Sequence, residues 1–195
     1  MAFDTDTFLV REHVGFLKLH EAYDILSPDG KLIAMAVERA NALRKIAKLL
    51  VNKNMLPFNV EIVNPEEQVL VSIRRPFTIC RSKVHVDDAG GAPLGYFRQR
   101  FLSLGGAFDV HDERDNHIAQ LKGDWKGWNF KFMDANGQEL GQVSRQWGGL
   151  AKELFTNADN YVVHIDRQKI QDVRHLQLLL AAAICIDMVL KEQQG

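Results

Sequence analysis

From Leu178 to Ile186 the sequence reads LLLAAAICI, and Gln177 and Asp187 bound this apolar run. A helix that crosses a bilayer needs about 20 predominantly apolar residues. The run is far shorter and ends on a carboxylate, so it reads as a buried helix. A helix that is apolar all round must be enclosed on every side. The rest of the chain therefore has to supply a container for it.

Turn signals at fairly regular intervals supply the walls. They are SPDGK (27–31), NPEEQ (64–68), DDAGGAP (87–93), DERDNH (112–117) and DANGQ (134–138). Asp, Asn and Gly tolerate positive φ and favour tight hairpins. Polarity alternates around them. Phe58, Val60 and Ile62 oppose Asn59 and Glu61, and Val69, Val71 and Ile73 share one face. Trp128, Phe130 and Phe132 likewise oppose Asn129 and Lys131. Such alternation beside turn residues is a hairpin signature. Strands near 8–11 and 161–166 bring the expected count to about twelve. The predicted fold is mainly β, an antiparallel closed barrel or sandwich, with the C-terminal helix filling the interior.

Two segments carry helical periodicity. Residues 41–54 place Leu43, Ile46, Ala47 and Leu50 on one face, with Asn41 as N-cap. The second runs from Asp172, its capping residue, to Glu192. With 195 residues, 46% hydrophobic and 25% charged, one domain over 1–195 is expected. A net charge of −1 argues against a surface built for nucleic acid. The only cysteines, Cys80 and Cys185, sit among apolar neighbours, and MAFDTDTFLVREH is too acidic for a secretory leader. The expected setting is reducing and cytoplasmic.

Catalytic signatures do not emerge. HExxH, a phosphate loop and a nucleophile elbow are missing from the sequence. His111, Glu113, Asp115 and His117 cluster in HDERDNH, but a strand–turn–strand path makes this a solvated hairpin tip before it makes it a metal site. Cys80 lies near Arg81 and Lys83 without a marked histidine partner, and an inert packed thiol is expected. Trp125 and Trp128 beside Lys126 read as an interfacial contact or a packed hairpin end. No cofactor and no enzyme activity are expected.

RRPFTICRSKV (74–84), PLGYFRQRF (93–101), GQVSRQWGGLAKELFTNADNYVVHID (141–166) and LAAAICIDMVLKE (180–192) resemble stretches of the phospholipid scramblase family. The resemblance keeps its order from about Phe58 onward. It implies a tubby-like barrel, shared with the LURP-one-related proteins, of about twelve strands around one hydrophobic C-terminal helix.

The resemblance also implies a calcium segment at NADNYVVHIDRQ. Calcium takes several oxygen ligands, and an EF-hand loop needs glycine sixth and glutamate twelfth. Counting from Asn157, Val162 is sixth and Gln168 twelfth. Asn157, Asp159 and Asp166 remain as candidate donors, against the reading of a turn that enters a strand with Tyr161, Val163 and Ile165 facing the core.

The resemblance makes anionic lipid a natural ligand. Arg74, Arg75, Arg81 and Lys83 cluster, and Arg81 and Lys83 share a face in a strand, as do Arg98 and Arg100. Each cation near an anionic surface contributes about 1 kcal/mol. A solvated outer barrel face explains the same residues. Two functions stay open: a scramblase-family module binding anionic phospholipid at a membrane surface or taking part in scrambling, and a protein-interaction or regulatory module without a lipid role. A membrane-spanning segment is expected in neither, and the lipid reading places the protein peripherally.

Overall fold

Twelve strands alternate inward and outward residues and close on themselves. The computed structural model describes residues 3–12, 22–39, 57–77, 83–99, 107–124, 127–145 and 160–194, with 22, 99 and 187–194 through their backbone alone. The strands are β1 (Thr7–Glu12), β2 (Ala22–Leu26), β3 (Leu32–Glu38), β4 (Phe58–Val63), β5 (Val69–Arg75) and β6 (Lys83–Asp88). They continue as β7 (Pro93–Gln99), β8 (Ala107–Asp112), β9 (His117–Asp124), β10 (Asn129–Met133), β11 (Glu139–Ser144) and β12 (Tyr161–Ile165). Each pairs antiparallel with its sequence neighbours, and β12 closes the barrel against β1. The expected strand count and architecture are both met.

One turn geometry recurs at five hairpins. The amide of the first turn residue donates to the carbonyl four residues on, and the fourth residue's amide donates back to the first. Ser27, Asn64, Asp88, Asp112 and Asp134 hold the first position. The fourth is Gly30, Glu67, Gly91, Asp115 or Gly137, all at positive φ. This is the three-residue hairpin built on a type I turn with a left-handed fourth residue. The first side chain also secures the loop: Asp112 Oδ1 accepts from the amides of Arg114 (2.9 Å) and Asn116 (2.8 Å). Asp134 does the same for Asn136 and Gln138.

The helix α1 (Val173–Gln194) starts after β12, with Asp172 Oδ1 accepting from the Arg174 amide at 2.8 Å. Leu178 to Ile186 are at most 2% exposed and belong to the same apolar cluster as the inward residues of the strands. Tyr161, Val163 and Ile165 join that cluster, as the alternation of β12 requires. At Gly95 a β-carbon would meet the His111 carbonyl oxygen at 2.1 Å and Leu178 Cδ2 at 2.9 Å. This glycine lets β7 pass close to the helix. Among the described residues no helix is long and apolar enough to cross a membrane. The expected helix over 41–54 lies outside the described residues.

An up-and-down barrel puts alternate connections at opposite ends. The five short hairpins occupy one end, together with the entry to α1. The connections after β1, β3, β5, β7, β9 and β11 emerge at the other, and include 39–57 and 145–160. Sequence length is therefore concentrated at one end of the barrel, which is where loops carry function most often.

Candidate functional site

The β4–β5 hairpin brings Phe58 opposite Arg75 and Asn59 opposite Arg74, at the end with the longer connections. Alternation then separates the two arginines. Arg74 points outward and is exposed, whereas Arg75 falls on the core face with Val71 and Ile73 and is 2% exposed. The Arg75 guanidinium lies over the Phe58 ring, 4.5 Å from its centroid. An arginine on a core face at a strand end is costly to desolvate, and an aromatic face lowers that cost.

A cavity of about 580 Å³ opens here, lined by Arg39, Pro57, Phe58, Asn59, Arg74, Arg75, Pro76 and His85. Arg39 arrives just beyond β3, where its amide donates to the Asn59 carbonyl at 2.8 Å. Its Nε donates to Glu61 Oε2 at 2.8 Å. Arg74 Nε donates to Asp87 Oδ2 at 3.1 Å. Neither carboxylate lines the cavity, so among the described residues the charge facing it is cationic. Asn59 Oδ1 is buried and has no hydrogen-bond partner among the described residues. His85 sits opposite Arg74 on β6. Burial, and then the neighbouring Lys83 and Arg74, hold its imidazole below the ordinary histidine value, with Asp87 opposing. These groups can receive a phosphate or carboxylate, while Pro57, Phe58 and Pro76 form an apolar wall.

The other described basic candidates, Lys83 on β6 and Arg98 on β7, lie one and two strands along the outer face. Lys83 pairs directly with Arg98. The Lys83 ammonium sits 3.4 Å from the Tyr96 ring centroid. Tyr96 stacks on His111 (4.9 Å, 4°), and His111 meets His117 edge-on (5.5 Å). The Tyr96 hydroxyl donates to Asp115, whose carboxyl is held below the usual range chiefly by that bond. Lys83 and Arg98 thus extend the basic surface but do not line the cavity. Arg81 and Arg100 lie outside the described residues, as do Cys80, Trp125 and Lys126.

The calcium candidates fare differently. Asp166 accepts from the Gln168 amide at 3.0 Å and meets Lys169 Nζ at 3.1 Å. The Lys169 contact, opposed by burial and aided by the Gln168 amide, lowers its carboxyl below the usual value. Asp166 secures the turn that leads toward α1, and an ammonium already occupies one of its oxygens. Asn157 and Asp159 lie outside the described residues. Among the described residues no group of three or more His, Cys, Asp or Glu side chains forms a metal-binding cluster.

The sequence profile of the Scramblase family matches residues 4–193. The chain belongs to the scramblase family. It is 22% identical to phospholipid scramblase 1 of Mus musculus, over 97% of this chain and 62% of that protein. It is 24% identical to phospholipid scramblase 2 of Bos taurus, over 70% of this chain and 50% of that protein. It is also 24% identical to altered inheritance rate of mitochondria protein 25 of Saccharomyces cerevisiae, over 88% of this chain and 61% of that protein. The chain spans about three-fifths of the length of most of these relatives. No solved structure matches it. Within this scramblase-family barrel, sequence reasoning found Arg74 and Arg75 but missed Arg39, Asn59 and His85. Their assembly depends on the β3–β4 and β5–β6 registers, which no local pattern encodes.

Proposed function

We propose that this barrel is a non-catalytic binding module for anionic phospholipid, and that it takes the headgroup into the cavity between β4 and β5. One observation carries the reading: Arg39, Arg74, Arg75 and His85 converge on a cavity that Asn59 and the apolar Pro57, Phe58 and Pro76 also line. The phosphate lies against the guanidinium groups, and charge-assisted hydrogen bonds of this type are about twice as strong as neutral ones. Asn59 Oδ1 accepts from a headgroup hydroxyl or ammonium. Lys83 and Arg98 add long-range attraction along the outer face. Membership of a family whose relatives are named phospholipid scramblases favours a lipid ligand over a free anion.

Co-sedimentation with phosphatidylcholine vesicles, with and without phosphatidylserine, tests the proposal. Binding should require the anionic lipid and weaken with salt, because exposed charges are screened within about 10 Å at 0.1 M ionic strength. Equal binding to both vesicle types, or none at low salt, would overturn it and favour a protein-interaction module.

A further inference from the structure

Among the described residues only two large hydrophobic side chains are exposed, Phe77 at 53% and Val173 at 42%. They mark opposite ends of the barrel. Val173 begins α1 at the short-hairpin end, where the next residue, Arg174, approaches Glu113 at 3.7 Å. Its surroundings carry both signs of charge. Phe77 follows Arg75 and Pro76 out of β5, and both of those residues line the cationic cavity.

We propose that Phe77 is the membrane-inserting residue of this barrel, sinking its ring into the headgroup region of an anionic bilayer while the adjoining cavity holds a lipid phosphate. This rests on the headgroup-binding reading above and gives it an orientation. Surface elements that bind bilayers bury Phe, Trp and Leu side chains at the boundary between headgroups and acyl chains, and the arginines at the end of β5 meet the phosphate layer. Pro76 suits the same boundary because it brings no N–H that would need a partner there. Phe77 lies at the end where the connections are longer, so the short-hairpin end with its mixed charges faces away from the bilayer. A single ring and a few cations give shallow, reversible attachment.

Phe77→Ala and Phe77→Trp test the inference, since an exposed position leaves the fold intact and equal melting temperatures verify it. Against phosphatidylcholine–phosphatidylserine vesicles, Phe77→Ala should lose about tenfold in partition, the scale expected for withdrawing part of an aromatic ring from water. Its affinity for soluble glycerophosphoserine should match the wild type. Brominated lipid should quench Phe77→Trp beyond any quenching of the three native tryptophans. If Phe77→Ala sediments like the wild type, or the new tryptophan is not quenched, this inference fails while the cavity reading stands. If the wild type does not bind anionic vesicles, both fail.

Discussion

The Arg75 guanidinium sits over the Phe58 ring at 4.5 Å, and the two residues are direct partners across β4 and β5. A charge on the core face is thereby held at the mouth of the barrel and aimed at the cavity. Replacing the ring tests the link between packing and charge. Phe58→Leu keeps an apolar side chain but removes the π-face, and should lower stability by about 1–2 kcal/mol. Urea titration reads the loss, and an unchanged midpoint would show that the stacking contributes nothing.

His85 makes the cavity sensitive to pH. Its folded pKa is depressed by burial and by Lys83 and Arg74. Its stability contribution is therefore present above the unfolded histidine pKa and is lost as pH falls through the lower folded value. An anion in the cavity reverses the local field and should raise that pKa, so binding takes up a proton and strengthens on acidification across the same window. Titrating His85 by NMR with and without glycerophosphoserine measures this. A pKa that does not rise on binding would place the anion elsewhere.

Gly95, with φ of 151°, occupies a close approach between β7, β8 and α1. Gly95→Ala drives a methyl into the His111 carbonyl and toward Leu178 in a backbone conformation that L-residues rarely adopt. The combined overpacking and strain should cost about 2–4 kcal/mol. A thermal melt within a degree or two of the wild type would contradict the close passage of strand and helix.

Leu179 is fully buried within the barrel. Leu179→Ala should destabilise by about 2–5 kcal/mol, as for other leucines removed from rigid cores. If α1 were instead a peripheral element, chemical denaturation would register a far smaller change.

The barrel was legible because its information is local. Each short hairpin announces itself through an Asp, Asn or Ser that accepts backbone N–H or anchors the turn, and through a left-handed fourth residue. The strands between them alternate cleanly, and the LLLAAAICI run demands enclosure. The site was legible only in part because it is built across strands. Arg74 and Arg75 are adjacent in sequence, yet alternation sends one outward and the other inward, and neither predicts that Arg39 will sit beside Asn59. That pairing depends on how β3 and β4 register across the 39–57 connection. Asp166 shows the converse: a donor that suits calcium by composition is engaged by Lys169, three residues on.

Arg75 gives the most direct test of the central claim, because among the described cavity arginines it alone is held on the core face. Arg75→Gln keeps a polar group of similar reach and removes the charge. Its affinity for phosphatidylcholine–phosphatidylserine vesicles should fall about tenfold to a hundredfold, the loss expected when a charged hydrogen bond to phosphate is removed. A melting curve verifies that the variant is folded. A folded Arg75→Gln variant that binds these vesicles as tightly as the wild type would contradict the assignment of the cavity as the headgroup site.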